Sequence, residues 1–530
     1  MTITSLGFIL FIAVGAFIYY LLKDEQKWKF LLVMSILSVG MANFAGIFCI
    51  MLTAISIYYA ALKIEKINKR GEDESSPKGL SAKTILVITI IFNLAILIAL
   101  KYLSGYFDAL MQNLVLPMTD DGSLLWQLKR LGFISGEQRV VDLLIPLGIS
   151  YYTLMAISYV VDVYWERVSA EKSFAKTLLF VCYFPQMAQG PISKFGQLNA
   201  EFMRPHPLNA KNIKFGFQLM LWGYFKKLLI ADRVAVHFLK PTLAAAQTDT
   251  GEIGIYGFTC VAAFVYWGIE LYCDFSGGID IIRGASEVFD IHMIENFRQP
   301  YFSKSLGEFW RRWHISLGAW MKDYIFFPLS MSRPMTALKK KLKKPLGRRT
   351  ANNITIAIGN LVVFTIVGVW HGMGTNFLGW GLYNAVILAF SALMIDVYAK
   401  MKKGLHINEQ SVAWKGFCLV RTLIIVTIGW AYDLGTTMTE CNQYIINMFS
   451  VSKTDFGLIL KPFRGMEPLF VIMCLGILFI VSVLNENGKS VREIMDKRSF
   501  IVQLIFWTFV IQLVGYFAFT TKGGFIYANY

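Results

Sequence analysis

Apolar runs close to the length of a membrane crossing recur along this chain from one end to the other. A spanning helix needs about 20 mainly apolar residues, because the bilayer core offers its backbone no water. Twelve runs qualify: 4–22, 30–45, 46–62, 84–104, 144–164, 213–230, 254–272, 351–370, 376–398, 414–431, 468–485 and 500–519. The pair 30–45 and 46–62 is short for two crossings, and Gly40, Asn43 and Gly46 supply a break. Composition agrees: 55% of the 530 residues are hydrophobic and 16% charged, against about a quarter charged in an ordinary soluble domain. The expected class is an all-α integral membrane protein of eleven or twelve transmembrane helices. A soluble enzyme, a coiled coil, a disordered tail and a secreted disulfide scaffold do not fit. Ile3 to Leu22 lacks a basic start and a small-residue cleavage site, so it reads as a membrane helix and not as a signal peptide.

Lys and Arg number 51 against 35 Asp and Glu, a formal charge of +16. In a soluble chain that excess would suggest nucleic acid. Here it sits in short loops, where basic residues mark the cytoplasmic side. The densest run, Arg333 to Arg349, reads as a cytoplasmic loop against anionic lipid headgroups, so membrane lipid is the expected partner and nucleic acid is not. Lys23 to Lys29, Lys63 to Lys83, Lys400 to Lys403 and Lys489 to Arg498 fall on the same side. The less basic loops 105–143 and 432–467 would face out, and twelve crossings place both termini outside.

Three stretches resist reading as simple spans. Segment 177–191 is too short to cross, ends in Gly190-Pro191 and looks re-entrant. Segment 273–304 carries Asp274, Asp280, Arg283, Glu287, Asp290, Glu295 and Arg298 in an apolar neighbourhood. Segment 305–328 interleaves tryptophans with charges and suits an amphipathic interfacial helix. Such backbone is tolerated at membrane depth only where protein or a water-filled cavity covers it, so the centre of the chain should enclose a cavity. With no internal repeat, a single domain over 1–530 is the simplest organisation.

The seven cysteines form no C-x-x-C pair and read as small buried hydrophobes, with no metal site. No G-x-S-x-G, H-E-x-x-H or Walker A motif occurs. Among six histidines, His406 and His206 read as solvated. His371 closes the apolar helix 351–370 and opens His-Gly-Met-Gly-Thr-Asn, which the basic flanks at 339–349 and 400–403 turn outward. An imidazole at a cavity mouth can act as general base for a hydroxyl; a structural histidine at a helix end is the plain alternative. His314 sits in Phe-Trp-Arg-Arg-Trp-His-Ile-Ser-Leu beside Arg311 and Arg312, which could clamp phosphates of a cytoplasmic donor; a tryptophan-anchored interfacial helix is the alternative. Asp274, Ser276 and Asp280 lie where lipid-facing polar groups are costly, with Arg283 an evident partner for a salt bridge. Lys226 and Lys227, near a helix end, read as snorkelling.

Ordered blocks through these segments resemble the membrane-bound O-acyltransferase family, in particular its alginate O-acetyltransferase-like branch of polysaccharide acetylation proteins. They are Gly148-Ile149-Ser150-Tyr151-Tyr152-Thr153, Ser158 to Tyr164, Tyr183-Phe184-Pro185-Gln186 through Gly190-Pro191-Ile192, Asp274-Phe275-Ser276-Gly277 and Asn296 to Tyr301. Phe309 to Leu317 with Asp323-Tyr324, Trp370-His371-Gly372, Asn376-Phe377 and Trp380 to Tyr383 complete the core match, about 140–385; Phe525 to Tyr530 also resembles endings in this branch. The pattern departs from the family at Gly278-Ile279 and Thr375.

The resemblance implies re-entrant and interfacial helices around a central tunnel, with His371 and His314 as the catalytic positions, His371 either as general base on the acceptor hydroxyl or as a nucleophile that briefly carries the acetyl group. Arg311, Arg312, Asp274, Ser276, Asn376 and Trp370 would line the donor side or the tunnel. It implies transfer of an acetyl group from a cytoplasmic donor, acetyl-CoA, to a hydroxyl of an exported polysaccharide or to an extracytoplasmic acetyltransferase partner. No tightly bound cofactor is expected, and the location is the cell membrane. D-alanyl transfer from a carrier protein towards teichoic acid is the nearest alternative, and a non-catalytic transporter the alternative of another class.

Overall fold

A computed structural model describes residues 2–42, 46–70, 80–102, 148–246, 253–519 and 524–526. The expected outward loop 105–143, the break at Asn43 and the ending Tyr527 to Tyr530 lie outside the described residues. The described chain is helical, with an isolated bridge between Phe297 and Trp313 as its β pairing. Eight of its helices are long and apolar enough to cross a membrane: Gly46–Lys69, Ala82–Lys101, Phe258–Val288, Arg333–His371, Thr375–Leu393, Val412–Asp433, Glu467–Glu486 and Phe500–Phe517. The chain is a multi-pass membrane protein. The other four expected runs also form helices. Leu6–Leu21, Ile149–Tyr164 and Ala210–Tyr224 are short, and Asp24–Ala42 opens on Asp24, Glu25, Lys27 and Lys29.

Several sequence expectations need correction. Residues 273–288 do not interrupt a helix; Phe258–Val288 runs 31 residues straight through Asp274, Asp280, Arg283 and Glu287. The basic run Arg333 to Arg349 is helical and not a loop, joined to the apolar span at Gly347, whose φ of 82° kinks the backbone. Segment 305–328 is not one amphipathic helix: Leu306–Arg312 and Ile315–Met321 are separated at Trp313 and His314.

The chain forms two compact units, Met1–Gly216 with Ile282–Met293, and Phe217–Ile281 with Ile294–Tyr530. In the first, helix Ile149–Tyr164 is buried from Ile149 through Val163 and packs against Gly46–Arg70 and Ala82–Leu97. Its Tyr-Tyr-Thr and Ser-Tyr-Val-Val runs thus face protein all round, as a helix apolar on every face must. Gly148 precedes it with φ of 74°, and a Cβ there would stand 2.5 Å from the Met187 carbonyl oxygen. Segment 177–191 folds as Phe174–Cys182 and Phe184–Gln189.

This unit also holds an ionic cluster that the sequence hid. Arg204 pairs with Asp290 at 2.5 Å and with Glu201 at 3.1 Å. His206, read as solvated, is 1% exposed, and its Nδ1 lies 3.2 Å from Asp290 Oδ2. Burial would raise the Asp290 carboxyl, but hydrogen bonds from Arg204, His206 and Asn212 outweigh it and hold it below its ordinary range.

In the second unit, helices Arg333–His371 and Thr375–Leu393 form a tight hairpin. Gly368 and Gly381 meet at its crossing: a Cβ on Gly368 would lie 2.5 Å from Phe377 O, and one on Gly381 2.6 Å from Phe364 O. Small residues let membrane helices approach this closely. An aromatic core containing Phe275, Phe297, Phe309, Trp313 and Trp430 packs in the same unit, and Leu388 and Phe364 of the hairpin join it. All seven cysteines are buried, as small hydrophobes are.

Candidate active site

The position of His314 follows from backbone pairing. The Ile315 N–H donates to Asn296 O at 3.0 Å, the Arg298 N–H to Arg312 O at 2.9 Å, and Phe297 bridges Trp313. This short antiparallel contact stops helix Leu306–Arg312 and leaves His314 in the left-handed region, φ 47°, a conformation that costs a non-glycine residue energy. Ser316 N–H donates to Asn296 Oδ1 at 2.9 Å, which fixes the amide orientation. The same oxygen lies 3.3 Å from His314 Nδ1, so Nδ1 carries the proton and Nε2 the lone pair. His314 is 3% exposed, with the Phe275 ring edge-on at 4.9 Å. Burial lowers its pKa well below the ordinary histidine value, so the imidazole is neutral at physiological pH.

His371 ends its helix as the sequence suggests, and it is buried. The hairpin turn is short because Gly372 makes room for the Phe377 ring and Gly374 for the Asn376 carboxamide. Trp380 stands edge-on to His371 at 5.2 Å and Phe377 stacks at 6.4 Å. Trp370 neighbours both histidines, its ring 5.1 Å from His371 and 6.5 Å from His314. The two imidazoles, 57 positions apart in sequence (371 − 314), therefore share one indole. Asn376 is buried and donates to Tyr432 O at 3.2 Å.

The arginines divide. Arg312 pairs with Glu308 at 2.8 Å and Glu486 at 2.7 Å, while Arg311 is exposed. Asp274 and Ser276 are each 1% exposed on helix Phe258–Val288, next to the Phe275 that abuts His314. Their lysine partners correct the sequence reading: Lys226 and Lys227 do not snorkel but are 3% and 4% exposed. Lys227 pairs with Asp274 at 2.5 Å and Asp232 at 2.9 Å, and Lys226 with Asp280 at 2.7 Å and Ser276 at 2.9 Å.

Sequence reasoning singled out neither Asn296 nor Trp380 as a site residue. Both stand inside the motif blocks, Asn296 in Asn296 to Tyr301 and Trp380 in Trp380 to Tyr383, and a polar or large aromatic residue within a dense motif is the signal available. Lys227 and Asp232 carried no local signal. Among the described residues no group of His, Cys, Asp and Glu is arranged to hold a metal ion.

Residues 167–342 match the model of MBOAT, the membrane-bound O-acyltransferase family. The match includes Asp274, Ser276, Arg311, Arg312 and His314 and stops before His371. The chain is 31% identical to the "Probable alginate O-acetylase AlgI" of Azotobacter vinelandii, over 59% of this chain and 55% of that protein. It is 28% identical to the "Peptidoglycan O-acetyltransferase" of Helicobacter pylori, over 55% and 54% respectively. The "Teichoic acid D-alanyltransferase" of Streptococcus thermophilus is 26% identical, over 53% and 63%. The chain thus matches about half the length of the first of these curated relatives.

Proposed function

We propose that this chain, whose residues 167–342 match the model of the membrane-bound O-acyltransferase family, is an acyltransferase of that kind, and that it transfers an acetyl group onto a hydroxyl of a cell-surface polysaccharide or of an extracytoplasmic partner that passes it on. The observation that carries the reading is the pairing of His314 and His371 around Trp370 within the second unit. Similarity to proteins named for alginate and peptidoglycan O-acetylation supports acetyl as the cargo.

His371 acts as the general base. It removes the acceptor hydroxyl proton as that oxygen bonds to the acyl carbonyl carbon. The carbon–sulfur bond of the thioester then breaks, and the departing thiolate takes the proton. Acetyl-CoA is the donor, entering from the cytoplasmic face of the cell membrane. His314, neutral and carrying its lone pair on Nε2, lines the donor side. Exposed Arg311 offers a guanidinium to the donor's phosphates, a geometry suited to bidentate contact. Trp370, Asn376 and Ser276 shape the walls, and Asp274 lies behind them with both oxygens held by Lys227 and the Ile526 amide. No resident cofactor takes part.

The test compares cells making the wild type, His371→Ala or no protein, at matched membrane levels, for base-labile acyl esters on surface polymers. Loss of ester-linked acetate in both deficient strains supports the reading. Loss of D-alanine instead moves the cargo to the teichoic acid alternative, and esters unchanged in His371→Ala overturn the assignment of the base.

A further inference from the structure

Lys227 is 4% exposed and lies between two carboxylates, Asp274 and Asp232. A buried lysine so placed is stable only because both its charge and its protons are met. Its third partner comes from far along the chain: Nζ donates to the Gly524 carbonyl at 2.7 Å. The ammonium also stands 4.6 Å from the centre of the Phe525 ring, and Phe525 is 6% exposed. Asp274 meets the same segment, its second oxygen accepting from the Ile526 N–H at 3.0 Å. Ile526 then packs on the aromatic core that contains Phe275, Phe297 and Trp313. Phe275, the residue after Asp274, is the ring edge-on to His314.

These contacts form one path. Lys227 and Asp274 hold residues 524–526, and those residues press on the core in which His314 is seated. We propose that Lys227 is a positioning residue for the His314 site, and that it acts by clamping residues 524–526 over the aromatic core. The family resemblance implies a place for Asp274 on the donor side or in the tunnel wall. In the clamp its two oxygens are turned to Lys227 and to the Ile526 amide instead of to substrate. The role in catalysis rests on the acyltransferase reading; the clamp itself does not.

Two measurements separate these claims. In the first, Phe525→Cys is placed in the full chain and labelled with a maleimide, against a background of seven buried native cysteines. Labelling should be slow with Lys227 intact, at least tenfold faster beside Lys227→Met, and slow again beside Lys227→Arg, which keeps the charge. Equal rates in all three overturn the clamp, and this readout needs no activity. In the second, acyl transfer by purified membranes is followed for Ile526→Pro, which removes the N–H that Asp274 accepts, and for Ile526→Ala, which keeps it. The Pro variant should lose on the order of tenfold or more in kcat, with KM for the thioester donor within about twofold. The Ala variant should lose less. A Pro variant equal to Ala overturns the positioning role, as does a change in KM alone. A wild type that transfers no acyl group refutes the acyltransferase reading, and the labelling result still decides the clamp.

Discussion

Asn296 Oδ1 accepts from the Ser316 N–H at 2.9 Å and faces His314 Nδ1 at 3.3 Å, so one carboxamide oxygen sets both the backbone turn and the tautomer of the buried histidine. Substituting Asn296→Leu removes the oxygen that both donors face in a buried site. The expected cost is about 1–3 kcal/mol of stability for the two lost contacts, with acyl transfer falling on the order of 10- to 100-fold. Thermal unfolding in detergent and ester formation by membranes measure the two effects. Transfer at the wild-type rate would remove Asn296 from the site.

His314 also makes a prediction about acid. Its folded pKa lies below its ordinary value of 6.5, so the unfolded chain binds a proton that the folded chain does not. The stability associated with the neutral imidazole is complete above that unfolded value and falls as pH drops below it. Wild type should therefore lose more thermal stability between pH 7.5 and 5.5 than His314→Gln, which does not titrate. Parallel losses in the two proteins would contradict the buried neutral state.

In the first unit, Asp290→Asn keeps the shape of the Arg204 and His206 contacts but removes their charge. Asp290 is buried while Arg204 is one-third exposed, so solvent screens part of the pair. The expected loss is about 2–3 kcal/mol, between the values for buried and surface ion pairs. Denaturation of the purified protein tests this. A loss near zero would mean that solvent already satisfies Arg204.

At the hairpin crossing, Gly368→Val inserts atoms where a Cβ alone would stand 2.5 Å from Phe377 O. The helices must part, and overpacking of this kind costs about 1–3 kcal/mol. His371 is three residues further on, so transfer should fall more steeply than stability. Gly476→Ala, in a helix where nothing lies within 4 Å of the new Cβ, is the control: it should leave transfer unchanged and raise stability by about 0.5–1 kcal/mol, because alanine is the better helix former.

Much of this architecture was legible along the chain. Apolar runs marked all eight long membrane helices, because a segment without water for its backbone must be apolar over its whole length. The break after His371 was legible in Gly372 and Gly374. The bounds of helix Phe258–Val288 were not, because its aspartates look like an interruption until their lysines are seen. The helical state of Arg333 to Arg349 was missed for a related reason: charge marks the side of the membrane and says little about backbone conformation.

The sequence by itself determined the class of protein, an all-helical membrane chain, and the two histidines that stand out within its motifs. Hydropathy and motif order are local properties, readable without coordinates. Only the tertiary structure decided what those residues touch. It put Trp370 beside both histidines, turned His206 from a solvated residue into a buried partner of Asp290, and set Lys227 against Asp274, Asp232 and the backbone at Gly524. A buried charge is stable only with partners, and apart from Asp232, close to Lys227 in sequence, the chain brings those partners from tens to hundreds of residues away, beyond the reach of any local pattern.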